Sequence, residues 1–318
     1  MARARRSDHR ARPFVRVLTT IALLIAFKHV SHGARATLQI TSLAPGGLIV
    51  LSSGAVLAWN HRADIQVRLP SGEWGPKVHL RADFLESATE SRNGALLLGD
   101  LRPPGGILST VIFSVDSVGA VTGLPLPPDM TVNSVAFSGD RDWVSTQQGL
   151  FEINPDGRLA GRLDAEQFSI IVGVRHGPPV VCMRRDLSMA NFRAPYCHST
   201  GAPAWKETGN WIEEPLACGE FIVEHETGQL LIRAASDGRV ISLRAVGRDP
   251  TIACGTESDL MVGTSDVVDY SLPQMAVRWT YHPKRGPVTA LARTPDKIIV
   301  FSARGSYDLA IPTSKVDH

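Results

Sequence analysis

The chain of 318 residues is poor in aromatic residues, at 6%, and has only four cysteines. Its one extended apolar segment, Val17 to Phe27, is about half the length needed to span a bilayer as a helix. Stretches with helical periodicity are scarce. So are the motifs that carry common chemistries: the sequence has no G-x-S-x-G nucleophile elbow, no phosphate-binding P-loop, no G-x-G-x-x-G, no H-E-x-x-H and no C-x-x-C. What remains is a β-rich chain without a catalytic signature.

Arg3, Arg5, Arg6, Arg10, Arg12 and Arg16 precede the apolar segment, and Ala34-Arg35-Ala36 follows as a small-x-small cleavage site, so residues 1 to 36 read as a signal peptide. The alternative is an uncleaved anchor that holds the protein at a membrane by its N-terminus. Either way the rest of the chain is expected outside the cytoplasm, periplasmic or secreted. The leader holds eight of the 33 Lys and Arg residues and one of the 31 acids, which leaves 25 basic and 30 acidic residues and a net charge of −5. Such a body lacks the concentrated basic face that a phosphate backbone demands, which argues against nucleic acid.

Residues 149 to 159, GLFEINPDGRL, show what fills the remainder: a short apolar strand, the turn Asn154-Pro155-Asp156-Gly157, and the start of a returning strand. Comparable turns occur at Asp116 to Gly119, His198 to Gly201 and Ala235 to Gly238, and the glycines of the four are 38, 44 and 37 residues apart. That period suits four short strands per unit. Apolar runs at Leu48 to Leu51, Ala95 to Leu98, Val180 to Val181, Phe221 to Val223, Leu260 to Val262 and Ile298 to Phe301 are too short for helices and suit strands covered on both faces. Val240 to Val246 partly alternates, as an outer strand does.

These features predict an all-β fold, a β-propeller of seven four-stranded antiparallel blades occupying residues 37 to 318 as one domain, with six or eight blades as alternatives. The units fall near 38–77, 78–129, 130–166, 167–208, 209–247, 248–284 and 285–318. The seventh has three strands of its own, and a strand from Ala36 to Ile40 is expected to complete it and close the ring.

The unit from Val144 to Leu159, VSTQQGLFEINPDGRL, with looser copies at Gln229 to Val240 and Ala95 to Gly119, resembles repeats of bacterial exported β-propellers of the two-component-regulator-propeller and PQQ-like types. The resemblance covers most of residues 38 to 311 as architecture and implies an exported propeller. Trp143, Trp205 and Trp279 do not recur at one blade position, so it does not extend to quinone chemistry, and no cofactor is expected.

Four cysteines fit an oxidising compartment. Cys182 and Cys197 belong to the second and third strands of the fourth unit, and a hairpin turning near Leu187 to Asn191 sets them opposite each other, at a separation that a disulfide spans. Closing that loop stabilises the fold by roughly 3 kcal/mol in the chain-entropy model. Cys218 and Cys254, in LACGE and IACGT, occupy matching places on inner strands of adjacent blades. They are expected as buried thiols, with a second disulfide as the alternative.

Two functional readings follow. The first is a non-catalytic binding or scaffold propeller whose rim of second-to-third loops and blade linkers carries Arg102, Arg184, Arg185, His225, Lys284, Arg285 and Arg304, with Trp74 and Trp211 as aromatic anchors. Such a rim suits a protein partner or an anionic glycan. The second is a propeller lyase or hydrolase with its site at the central channel, for which His176 is the residue to follow, grouped with Asp140, Glu220 or Glu257. His61, His79, His198, His282 and His318 are scattered, and no Cys or His set has metal-ligand spacing, so no metal is expected. The sequence leaves the oligomeric state open.

Overall fold

The computed structural model describes residues 37–39, 43, 45–106, 108–127, 130–164, 170–183, 196–199, 204–206, 215–226, 228–247, 249–255, 259–283, 286–302 and 305–311. They form seven four-stranded antiparallel sheets and no helix. Blade 1 is built from Gly47–Val50, Val56–Trp59, Asp64–Arg68 and Val78–His79, and blade 2 from Phe84–Ser91, Gly94–Leu101, Ser109–Asp116 and Val121–Gly123. Blade 3 holds Val132–Ser138, Arg141–Thr146, Gly149–Ile153 and Leu159–Asp164; blade 4 holds Ile170–Val172, Val180–Met183, Tyr196–Ser199 and Trp205–Lys206. Blade 5 comprises Leu216–Cys218, Phe221–Glu226, Gln229–Ala234 and Val240–Ala245, and blade 6 comprises Thr251–Cys254, Asp259–Gly263, Val267–Ser271 and Ala276–Tyr281.

Blade 7 contributes Val288–Arg293, Lys297–Ser302 and Gly305–Ala310, and its fourth strand is Thr37–Gln39 from the other end of the chain, in the register Thr37 to Asp308 and Gln39 to Ser306. The expected closure strand is therefore in place, and the ring leaves no blade incomplete. The expected boundary at residues 77/78 falls inside blade 1, because Val78–His79 pairs with Asp64 and Ile65 rather than starting the next unit.

Three of the four turn motifs share one structural position: Asp116 to Gly119, Asn154 to Gly157 and Ala235 to Gly238 lie at the passage from the third to the fourth strand in blades 2, 3 and 5, whereas Thr200 and Gly201 lie outside the described residues. In GLFEINPDGRL the third strand runs out to Ile153, the Gly157 N–H donates to the Asn154 carbonyl at 2.8 Å, and Gly157 takes φ 80°, a left-handed conformation that glycine adopts without a Cβ clash.

Most of the unbroken apolar runs are second strands. Ala95 to Leu98, Leu260 to Val262 and Ile298 to Phe301 are buried throughout, because a second strand is covered by a neighbouring blade on each face. Successive side chains point to opposite faces, so each such strand feeds two seams. In blade 5, Val223 packs with Leu260 and Val262 of blade 6, while Ile222 packs with Ile170 and Cys182 of blade 4. Each fully buried Leu or Ile in these seams contributes about 2 kcal/mol. The outer strand Val240–Ala245 is exposed on both faces, with Leu243 at 56%.

Candidate functional site: the channel and its two rims

The first strands of all seven blades line a central channel of about 670 Å³. Its wall is largely apolar, with Val50, Val135, Ile171, Ile252 and Leu291 among its residues, and Glu90 and Arg293 bring charge to it. Both charged residues stand at or next to the C-terminal ends of first strands, so they belong to the rim of first-to-second turns. Burial pushes the Glu90 carboxyl up despite a hydrogen bond from the Ser52 backbone.

Arg293 reaches from blade 7 into blade 6. Its Nη2 donates to Asp259 Oδ2 at 2.9 Å and its Nη1 lies 3.6 Å from Asp269 Oδ1, while Arg278 engages the other oxygen of Asp259. Both carboxylates are 2% exposed or less. Burial drives the Asp269 carboxyl up to about 6, against the pull of Arg293 and with the added repulsion of Asp259.

The same rim gathers the residues of the enzyme reading. His176, on the first-to-second loop of blade 4, places Nε2 4.0 Å from Oε1 of Glu220, on the matching turn of blade 5, and both side chains are exposed. That is an ion-pair distance, too long for a hydrogen bond. Asp140 belongs to the corresponding turn of blade 3, where its backbone carbonyl accepts hydrogen bonds from Arg92 Nε and Nη2 at 3.1 and 2.6 Å. Glu257 lies outside the described residues.

The opposite rim carries the second-to-third turns and the blade linkers. Arg102 is exposed there. Arg184, Arg185, Trp211, Lys284, Arg285 and Arg304 all lie outside the described residues.

Two expected rim residues are placed elsewhere. His225 is 2% exposed, within the second strand of blade 5. Alternation sets it on the same face as Val223, towards blade 6, so it is seam and not rim. Trp74 lies between the third and fourth strands of blade 1, hence on the first-to-second side, and not in a linker between blades. The chain folds back to bridge Trp74 to Arg68, and the indole packs edge-on against Phe301 of blade 7 at 5.7 Å. It fills the closing seam of the ring.

Both cysteine pairs are joined. Cys182 and Cys197 are directly opposed across the hairpin of blade 4, with Cα atoms 4.1 Å apart. Cys218 and Cys254 form a disulfide between the first strands of blades 5 and 6, with Cα atoms 5.3 Å apart, so the expectation of buried thiols is corrected. The matching places in LACGE and IACGT were the signal: equivalent positions on adjacent inner strands face each other across one seam.

Among the described residues, no group of three His, Cys, Asp or Glu side chains could hold a metal ion, and no helix is long and apolar enough to cross a membrane.

The ring of seven four-stranded sheets around a channel makes the chain a β-propeller. Solved structures with the same architecture include virginiamycin B lyase from Staphylococcus aureus, in a catalytically inactive form with quinupristin, at 15% identity and TM-score 0.58 over 87% of this chain and 100% of that one. BBS1N in complex with ARL6DN matches at 11% identity and TM-score 0.57 over 89% of this chain and 98% of that one. PorZ, an essential surface component of the type-IX secretion system of Porphyromonas gingivalis, matches at 11% identity and TM-score 0.52 over 88% of this chain but 39% of that one. Identities this low establish the fold alone. No protein-family model and no curated protein matches the chain.

Proposed function

We propose that the protein is a bacterial exported propeller that acts by binding, with residues 1 to 36 as a leader and residues 37 to 318 as a single recognition domain. The observation that carries this reading is the rim of second-to-third turns, where Arg62, Arg81 and Arg102 stand exposed beside Phe84, itself 42% exposed. Charged side chains around an exposed aromatic anchor suit recognition of a protein or an anionic glycan. The segments with Arg184, Arg185, Lys284, Arg285 and Trp211 belong to the same proposal by their place in the chain. Two disulfides support an oxidising compartment, periplasmic or extracellular. BBS1N, a protein of the same fold, is in complex with ARL6DN, which supports a protein partner as one form of the reading.

The test is crosslinking in the native host, with intact-mass analysis of the purified chain. A binding propeller yields a defined crosslinked species outside the cytoplasm that is lost when Arg184, Arg185 and Arg285 are changed together to Ala, and the chain begins near Thr37. A cytoplasmic chain that retains residues 1 to 36 and forms no adduct overturns the reading.

A second reading, a lyase or hydrolase working at the channel mouth, is favoured by one observation, the approach of His176 to Glu220 across the seam of blades 4 and 5. It requires turnover that is lost in His176→Ala and Glu220→Gln while the fold stays intact.

A further inference from the structure

Phe84 opens the first strand of blade 2 with 42% of its surface in water, an unfavourable place for a large apolar ring. It is also held rigidly. The His61 imidazole stacks parallel on it, with centroids 4.9 Å apart and planes 7° apart, and the Trp59 indole stands edge-on to His61 at 5.4 Å. His61 Nδ1 lies 2.9 Å from the Leu85 carbonyl. A carbonyl oxygen only accepts, so Nδ1 carries the proton, and in the neutral ring Nε2 is left as an acceptor. The His61 carbonyl in turn accepts from the Leu85 N–H at 3.3 Å. The stack is thus pinned to the backbone across the seam of blades 1 and 2.

The surroundings are polar and equally fixed. Arg62 lies on the same turn as His61, Arg81 on the linker to blade 2, and Arg102 on the second-to-third loop of blade 2, all exposed. Three hydrogen bonds join these segments: Leu80 N–H to the Ala63 carbonyl at 2.7 Å, Asp83 N–H to the Asp100 carbonyl at 2.8 Å, and Arg102 N–H to the Asp83 carboxylate at 2.6 Å. None of the three guanidiniums has a side-chain partner among the described residues. Leu108, 47% exposed, adds an apolar flank on the loop of Arg102.

We propose that this seam is a carbohydrate-binding site in which Phe84 is the stacking platform. The proposal rests on the binding reading above and gives it a ligand class. Asp83 and Asp100 share these hydrogen-bonded segments with Arg81 and Arg102, so the seam carries both signs of charge and its field does not draw an acidic protein surface by charge alone. A sugar needs this mixture. Each hydroxyl both donates and accepts, so carboxylates and guanidiniums are both used. The weakly positive C–H face of a pyranose ring would meet the negative face of the phenyl ring that His61 does not cover. Because the platform is already ordered, binding loses little conformational entropy in the protein.

The test uses the full propeller with both disulfides formed, titrated with cellotetraose, chitotetraose, oligogalacturonate and a Glu-rich peptide containing one Phe, with ligand-observed NMR as the readout. At least one oligosaccharide is expected to bind, and Phe84→Ala should weaken it by roughly tenfold or more, the scale of an aromatic anchor. Phe84→Trp should retain binding, which separates loss of the platform from loss of fold. If no oligosaccharide binds, if binding is indifferent to Phe84→Ala, or if only the acidic peptide binds, the proposal is overturned. Where no oligosaccharide binds, a crosslinked protein adduct that survives Phe84→Ala leaves the binding reading standing while this site fails.

Discussion

Arg68 donates from Nη2 to Asp308 Oδ2 at 2.7 Å, across 240 residues of sequence and across the seam where the ring closes. Arg68 ends the third strand of blade 1 and is 2% exposed; Asp308 sits on the third strand of blade 7, opposite Thr37 of the closing strand. Arg68 Nε also donates to the Gly72 carbonyl at 3.0 Å, and Lys297 lies 3.7 Å from the same Asp308 oxygen. Breaking such a pair from one side strands a buried charge. Asp308→Ala is expected to cost about 3 kcal/mol in urea unfolding, and Arg68→Met combined with Asp308→Ala to cost less than the single change. A single mutant within about 0.5 kcal/mol of the wild type would refute the role of the pair.

The closing strand gives a second prediction. Removing residues 1 to 39 bares the edge of Gly305–Ala310, whose backbone groups then face water or another chain. Amide exchange over residues 305 to 310 should accelerate well beyond that of the other blades, with a rise in self-association by light scattering. Unchanged protection there would show that the pairing contributes nothing in solution.

Cys218–Cys254 links two blades, and Cys182–Cys197 staples one hairpin. A non-reduced peptide map should contain both linked fragments. In the chain-entropy model the larger loop is worth roughly 4 kcal/mol against roughly 3 kcal/mol for the smaller, so Cys218→Ala with Cys254→Ala should lower the unfolding midpoint at least as much as the other double change. Free thiols at all four positions in oxidised protein would overturn both assignments.

Asp269 makes stability depend on pH in a particular direction. Its folded-state value, about 6, lies above the ordinary 3.8, so the protonated form favours the folded state. The contribution is complete below about 3.8 and is lost as pH rises through about 6. Wild type should therefore gain stability relative to Asp269→Asn as pH is lowered from 7 to 5, read as the difference between their urea midpoints. A difference that stays flat, or runs the other way, would mean that Arg293 outweighs burial.

Much of the fold was legible because its signals are local. Turn chemistry such as Asn154 to Gly157 and strand length act within one blade, and their spacing counts the blades. The pairing of Cys182 with Cys197 was equally local, since a hairpin brings its two strands into register. The site was far less legible. His225 reads as a loop histidine in the sequence, yet it is buried because the second strand of blade 5 runs on to Glu226. Trp74 reads as a linker anchor, yet it fills the closing seam. Phe84, His61 and the arginines around them carry no motif, because they come from two blades.

The sequence alone pointed to repeated four-stranded antiparallel units, seven of them with six or eight left open, to a closing strand near Thr37 and to one disulfide. These follow from hydrogen bonding and hydrophobic alternation over a few tens of residues at most, the closing strand excepted, where completion of the count supplied the argument. Only the tertiary structure decided which side chains meet between blades: Arg68 with Asp308, Arg293 with Asp259 and Asp269, Cys218 with Cys254, and His61 with Phe84. Those contacts depend on the angle at which each twisted sheet packs on the next and on the ring closing, geometry that belongs to all seven blades together and that no single stretch of sequence encodes.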